Sequence, residues 1–130
     1  MPFLMSSDLL MICDDDVRPK PEYLATFLAG LQEAGERSIV CARGHTFVPH
    51  ELDLENPDAV WNHGRHLRFW DEAAPPREVH FMHADNCLIP REALQELARY
   101  PLPRRQFALI DDYWMSMTLS REMNWKLWKW

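Results

Sequence analysis

The sequence predicts an α/β fold, a mostly parallel sheet with flanking helices, and three observations predict it. Asp8 to Cys13 reads DLLMIC, a short continuous apolar run closed by acids. Such runs suit strands buried on both faces of a sheet. A helical pattern follows from Pro21 to about Ala34, and a second apolar run, Ser38 to Ala42, comes next. Strand, helix, strand is the signature of a right-handed parallel crossover.

Each element has its own warrant. Pro21 suits the first helical position, and Tyr23, Leu24, Phe27, Leu28 and Leu31 recur at three- and four-residue steps. Gly35 is a C-terminal stop. Gly44 to Pro57 is polar and turn-rich and reads as a loop. Asp58 to Trp70 reads as a helix, with Val60, Trp61, Leu67, Phe69 and Trp70 as its apolar residues and Gly64 as its weak point. Ala74-Pro75-Pro76-Arg77 is a break. Val79 to Met82 and Asn86 to Ile89 read as extended segments around a turn at Ala84-Asp85. Pro90 to Arg99 is a helix with Ala93, Leu94, Leu97 and Ala98 on one side. Pro101 to Arg105 is a loop. Asp111 to about Met123 is a helix with acid in its first turn, where negative charge suits the dipole. Trp125 to Trp130 is a strand.

The chain has 130 residues, which predicts a single domain over 1–130. Apolar residues make up 47% of it, enough for a packed core. The net charge is −6 with no Lys/Arg stripe, which argues against nucleic acid as a partner. Cys13, Cys41 and Cys87 are far apart and odd in number, so they read as small buried apolar residues rather than a disulfide or zinc framework. A reducing, cytoplasmic setting is the expectation. Met1 to Met5 lacks a basic start and a long apolar region, so no signal peptide is expected, and no segment is long enough to span a bilayer.

Three acidic motifs carry the candidate chemistry. Asp14-Asp15-Asp16 closes the first strand. Packed carboxylates repel, and a hard divalent cation resolves that repulsion with oxygen ligands. Ligands of open α/β sheets bind beyond the carboxyl ends of strands. In extended backbone Asp14 and Asp16 share a side while Asp15 points away. An exposed acidic turn, with Asp16 capping the next helix, is the plain alternative. Asp111-Asp112 lies where the apolar run Phe107 to Ile110 meets a helix. Helix capping explains one of these acids. Between them lies His83-Ala84-Asp85-Asn86, where Asp85 and Asn86 can accept hydrogen bonds from a sugar, or form an Asx turn.

The order ICDDDVRPKPEYL, HADNCLIPREAL, IDDYWMS resembles glycosyltransferases of the GT-A fold, especially the large inverting family that uses nucleotide sugars. The resemblance covers about Asp8 to Trp130 and implies a Rossmann-like domain. It implies that Asp16 ligates Mg²⁺ or Mn²⁺ on the donor diphosphate. Asp14, with Asp15 beside it, contacts the ribose or a metal-bound water. His83-Ala84-Asp85, with Asn86, then faces donor sugar or acceptor. Ile110-Asp111-Asp112 resembles the family's x-E-D motif with Asp in place of Glu, which makes Asp112 the general base. Trp114, two residues on, lines an acceptor site or packs in the core. The family places further strand–helix units ahead of the Asp14 strand to hold the nucleotide base. Only Met1 to Ser7 stand there, so the expectation is a partial domain lacking that half. No histidine matches the family's later metal ligand.

The remaining candidates read as structural. His63 and His66, and His80 and His83, are expected to be ordinary, partly exposed histidines without a third zinc ligand. Arg104 and Arg105 read as solvated loop charges. Trp61, Phe69, Trp70, Trp125, Trp128 and Trp130 read as core. The expected function is metal-dependent transfer of a sugar from a nucleotide-sugar donor to a hydroxyl acceptor on a glycan, protein or lipid. Two other readings stay open: a non-catalytic remnant that associates with itself or a partner chain through an exposed sheet edge, and another Mg²⁺-dependent phosphate-binding protein.

Overall fold

The computed structural model describes residues 7–15, 18–47, 67–101 and 111–130. Their elements are β1 (Leu9–Cys13), α1 (Tyr23–Ala34), β2 (Ser38–Cys41), β3 (Gly44–Phe47), β4 (Leu67–Trp70), β5 (Arg77–Glu78), β6 (Phe81–Met82), β7 (Asn86–Pro90), α2 (Arg91–Leu97), α3 (Asp111–Met117), a π-helical turn (Thr118–Glu122) and β8 (Lys126–Lys129). They build a five-stranded sheet in the order β1-β7-β2-β8-β5 and a three-stranded sheet in the order β4-β3-β6.

The expected mostly parallel, Rossmann-like sheet is not what forms. Among the described strands β2 and β8 pair in parallel, whereas β1–β7, β7–β2, β8–β5, β3–β4 and β3–β6 are antiparallel. β1 and β2 do run the same way, since both are antiparallel to β7, but β7 lies between them. A continuous apolar run says that both faces are buried. It carries no information on direction, because direction is decided by the partner that inserts.

Both faces of the larger sheet are covered. On one, α1 buries Tyr23, Phe27, Gly30 and Ala34, and Tyr23 and Phe27 pack with Val40, Ala42 and Leu88. On the other, Ile39, Cys41, Cys87, Ile89 and Leu127 pack with Ala93, Leu97, Leu119 and Trp125. Neighbours along one strand thus serve opposite cores, as the pleat requires. The buried stripe of α1 is rotated from the expected one: Leu24 and Leu28 stay 51% and 39% exposed. Gly30 takes their place because a Cβ there would meet the Trp130 ring at 2.9 Å. Gly35 ends α1 at φ 86°, its N–H donating to the Leu31 carbonyl. The expected last helix stops being α-helical at Met117 and continues as the π-helical turn.

Two further expectations change. Gly44–Phe47, placed in a loop, is β3, and Leu67–Trp70, placed in a helix, is β4. Residues 48–66 between them lie outside the described residues. Leu67, Phe69 and Trp70 fit a helical spacing as well as a strand. Pairing with β3 decides, setting Phe69 opposite His45 and Trp70 opposite Gly44.

One irregularity joins the two sheets. β2 leads through Ala42 and Arg43 into β3, and β6 leads through His83, Ala84, Asp85 and Asn86 into β7. Cys41 pairs with Cys87 before this junction and Gly44 with Met82 after it. Ala42 and Arg43 therefore face His83, Ala84, Asp85 and Asn86 within one bent antiparallel ribbon. Ala42 N–H donates to the Asn86 carbonyl at 3.0 Å, and His83 N–H to the Arg43 carbonyl at 3.1 Å. Ala84 and Asp85 are the surplus, thrown out of the ladder as residues of an enlarged bulge are.

Gly44 locks the junction, because a Cβ there would lie 2.7 Å from the Phe81 carbonyl oxygen and 2.9 Å from Val79 Cγ2. Backbone cannot yield as a side-chain tip can. Gly44→Ala is expected to destabilise the fold by about 1–3 kcal/mol, read as a lower urea midpoint at unchanged slope.

Candidate functional site

The outward Ala84-Asp85 step meets the end of β1 on one side and the start of α3 on the other. Asp14 N–H donates to the Asp85 carbonyl at 2.8 Å, extending the β1–β7 ladder by one rung. Ala84 N–H donates to Asp112 Oδ1 at 3.3 Å. α3 is fixed against β6 because Met82 N–H donates to Ser116 Oγ at 3.0 Å, and Ser116 is fully buried. Residues far apart in sequence, Asp14, the Ala84-Asp85-Asn86 turn and Asp112, so come together at one end of the larger sheet.

The charges there are unevenly solvated. Asp14 and Asp15 are exposed and Asp112 is half-buried. Asp85 is only 7% exposed, and its Oδ2 forms an ion pair with the Arg43 guanidinium. Its Oδ1 has no hydrogen-bond partner among the described residues. Arg43 is thus the counter-charge for a carboxylate that burial would otherwise make costly. Burial pushes the Cys87 thiol well above its ordinary range, and neighbouring Cys41, Asp112, Cys13 and Asp14 add to the rise. Cys41 opposite it is pushed up to about 12 by burial. These thiols stay protonated and serve as core, as expected of them.

His83 is partly exposed, as expected, but its setting is not an ordinary one. Burial, then His45 and Arg43, hold it down to about 4, so its ring is neutral at physiological pH. It sits among rings: His45 at 5.0 Å, Phe81 at 5.4 Å and Phe69 at 5.8 Å between centroids. His80 is exposed and turns to Phe47, whose N–H donates to its Nδ1 at 2.9 Å. Phe69, expected in the core, is 48% exposed.

The other sequence candidates fall as follows. Asp16 lies outside the described residues, as do Trp61, His63, His66, Arg104 and Arg105. Asp111 opens α3 and is placed by its backbone alone. Asn86 is 1% exposed, and its Oδ1 has no hydrogen-bond partner among the described residues. Trp114 is half-buried and packs on the core. Sequence reasoning missed Arg43, which pairs with Asp85, and His45 and Phe81, whose rings meet His83. The one available signal was the run Arg43-Gly44-His45, a basic and an aromatic residue around a glycine, and it is too common to single out.

Among the described residues no group of three or more His, Cys, Asp or Glu side chains is placed to hold a metal ion. Mg²⁺ is typically held by one or two carboxylates plus substrate phosphate oxygens and water, rather than by a protein cage. Asp14 is an exposed carboxylate at a strand end beside the turn. No protein-family model matches the chain, and no curated protein matches it significantly.

Two predictions follow from these charges. Arg43→Met leaves Asp85 buried without a counter-charge, whereas Asp85→Asn leaves Arg43, 38% exposed along its side chain, able to reach water. The first change is expected to cost about 2 kcal/mol, between the values for surface and buried pairs, and clearly more than the second, in urea unfolding. His83 titrates at about 4 when folded against the ordinary 6.5. The unfolded chain then binds the extra proton between those values, so stability is full above pH 6.5 and falls as pH drops toward 4. His83→Gln should flatten that part of the stability–pH curve, and the His83 ring proton should show no titration above about pH 5 by NMR.

Proposed function

We propose that the protein transfers a sugar from a nucleotide-sugar donor to a hydroxyl acceptor, with a divalent cation on the donor diphosphate. The observation that carries this reading is the meeting of the three acidic motifs. Asp14, Asp85 and Asp112 belong to segments that share no local sequence, and hydrogen bonds tie these segments together: Asp14 N–H donates to the Asp85 carbonyl, and Ala84 N–H to the Asp112 carboxylate. Independent acidic turns or helix caps have no need to converge. The likeness of the three motifs, in the same order, to those of inverting nucleotide-sugar glycosyltransferases points the same way.

The roles follow from placement. Asp14 lies at the strand end, where a diphosphate-bound cation and the ribose would be met, and Asp16 is its intended partner. Mg²⁺ or Mn²⁺, when bound, neutralises charge on the departing diphosphate. Asp112 accepts the proton of the acceptor hydroxyl as it attacks the anomeric carbon from the face opposite the leaving group, which inverts the configuration. The Ala84 N–H keeps one of its carboxylate oxygens in place. The buried Asp85–Arg43 pair holds the turn that presents both groups.

A non-catalytic association module is the second reading, and β1 favours it. It is the outer strand of its sheet among the described residues, and its five residues LLMIC are all half-buried and uncharged. Unblunted apolar edges invite pairing.

Thermal unfolding with Mn²⁺ and a panel of nucleoside diphosphates separates the two. The catalytic reading expects stabilisation only when metal and nucleotide are both present, about 2.7 kcal/mol at a hundredfold excess over the dissociation constant, and its loss in Asp14→Asn. Asp112→Asn should keep the shift and lower turnover about 10²–10⁴-fold. No shift in a folded sample would leave association as the function to pursue.

A further inference from the structure

β1 is the outer strand of the larger sheet among the described residues, and its register fixes which of its backbone groups are free. Leu9, Met11 and Cys13 lie opposite Pro90, Leu88 and Asn86 of β7. Asp14 N–H donates to the Asp85 carbonyl and Arg91 N–H to the Asp8 carbonyl, both at 2.8 Å. Bonds at those flanking residues make Leu9, Met11 and Cys13 the non-hydrogen-bonded positions of the ladder. Their N–H and C=O groups therefore point away from β7, while those of Leu10 and Ile12 point into it. Ser7 closes the first of the three positions: Leu9 N–H donates to Ser7 Oγ at 3.3 Å, and the Ser7 hydroxyl donates to the Leu9 carbonyl. Among the described residues no hydrogen bond reaches the outward groups of Met11 and Cys13. Donors and acceptors thus stand in line on a strand whose residues are all half-buried.

The charges at the two ends of this edge select its partner. Asp8 precedes Leu9, and Asp14 and Asp15 follow Cys13, all three exposed. Asp8 is paired, its carboxylate 3.2 Å from the Arg91 guanidinium. Among the described residues no ion pair holds Asp14 or Asp15, and the whole chain carries a net charge of −6. A second copy pairing antiparallel about Met11 would set Asp8 opposite Asp14 at both ends. Pairing about Cys13 would crowd both Asp14-Asp15 pairs around one axis. Like charges opposite one another across a ladder destabilise it, and opposite charges stabilise it. We propose that β1 takes up an extended segment of a partner protein as a further strand, apolar on both faces and ending in lysine or arginine beside Asp14-Asp15. The inference rests on the association reading given above and names the partner's chemistry. Main-chain groups of Met11 and Cys13 supply the affinity, as in strand addition generally. Leu9 and Met11 pack on one core and Ile12 on the other, so apolar side chains on both faces of the incoming strand extend both. The basic residue fixes the register and disfavours a second copy.

The test is backbone amide hydrogen exchange of the full chain, read by NMR. The probe is a short peptide of valine and isoleucine closed by a pair of lysines, made with the lysines at either end. In the free chain the Leu10 and Ile12 amides should exchange slowly and those of Met11 and Cys13 rapidly. The lysine peptide should slow Met11 and Cys13, and its binding should weaken with salt. The same peptide with glutamates in place of the lysines should not bind. Met11→Pro removes one outward donor and leaves the β7 ladder intact, so it should weaken peptide binding about tenfold. Asp15→Lys, at an exposed position, should weaken it with the fold untouched. Slow exchange of Met11 and Cys13 in the free chain would show an edge already covered and overturn the proposal, as would equal protection by the glutamate peptide. Unchanged binding in both variants places the peptide elsewhere on this acidic chain and overturns it as well. Sedimentation separates the proposal from the reading beneath it. A dimer that Met11→Pro dissolves makes a second copy the occupant, so the proposal fails while association stands. A monomer that no peptide protects ends both.

Discussion

The arrangement depends on the mismatch in the ribbon that joins the two sheets. Ala42 and Arg43 on one strand face His83, Ala84, Asp85 and Asn86 on the other, and the surplus must leave the ladder. Its exit is fixed by backbone hydrogen bonds from three directions: Ala42 to Asn86, His83 to Arg43, and Asp14 to Asp85. Buried backbone groups must be paired, so the turn has little freedom once β1 and β2 flank β7. The acids that follow β1 and open α3 are placed by that turn. A site built in this way needs no long loop to position it.

The same junction sets the electrostatics. Asp85 is carried inward with its carboxylate, and Arg43 comes from the strand opposite to neutralise it. His83 is carried toward the rings of the smaller sheet, where burial keeps it neutral. Cys41 and Cys87 lie side by side beneath, opposite each other in the ladder and fully buried. One wall is thus apolar and uncharged, and the exposed carboxylates of Asp14 and Asp15 stand at the strand end beside it. Among the described residues no helix is long and apolar enough to cross a membrane.

The elements were legible in the sequence where local signals agreed. Gly35 marks the end of α1 because a stop needs its positive φ, and the apolar runs at Leu9–Cys13 and Ser38–Cys41 mark strands, the first half-buried and the second fully buried. The Ala84-Asp85 turn was legible too. Strand direction was not, because β7 enters between β1 and β2 only once the ribbon has bent back, a tertiary event. β4 was misread because three apolar residues in four satisfy both periods. Phe69 was assigned to the core on its type alone, yet strand alternation puts it on the open face beside core-facing Trp70. Arg43 had no local signal, since its partner lies across the ribbon.

The central claim is that Asp14, the Ala84-Asp85 turn and Asp112 make one site, with the proposed cation and diphosphate at its Asp14 end and the proposed general base Asp112 beside them. Paramagnetic broadening of backbone amide signals by substoichiometric Mn²⁺, with and without uridine diphosphate, tests it most directly. The account predicts that the amides of Asp14, Asp15, Ala84, Asp85 and Asp112 broaden first and together, and that the nucleotide sharpens this selectivity. Broadening spread over exposed acids elsewhere, such as Glu33, Glu36 and Glu92, and unchanged by nucleotide, would contradict it.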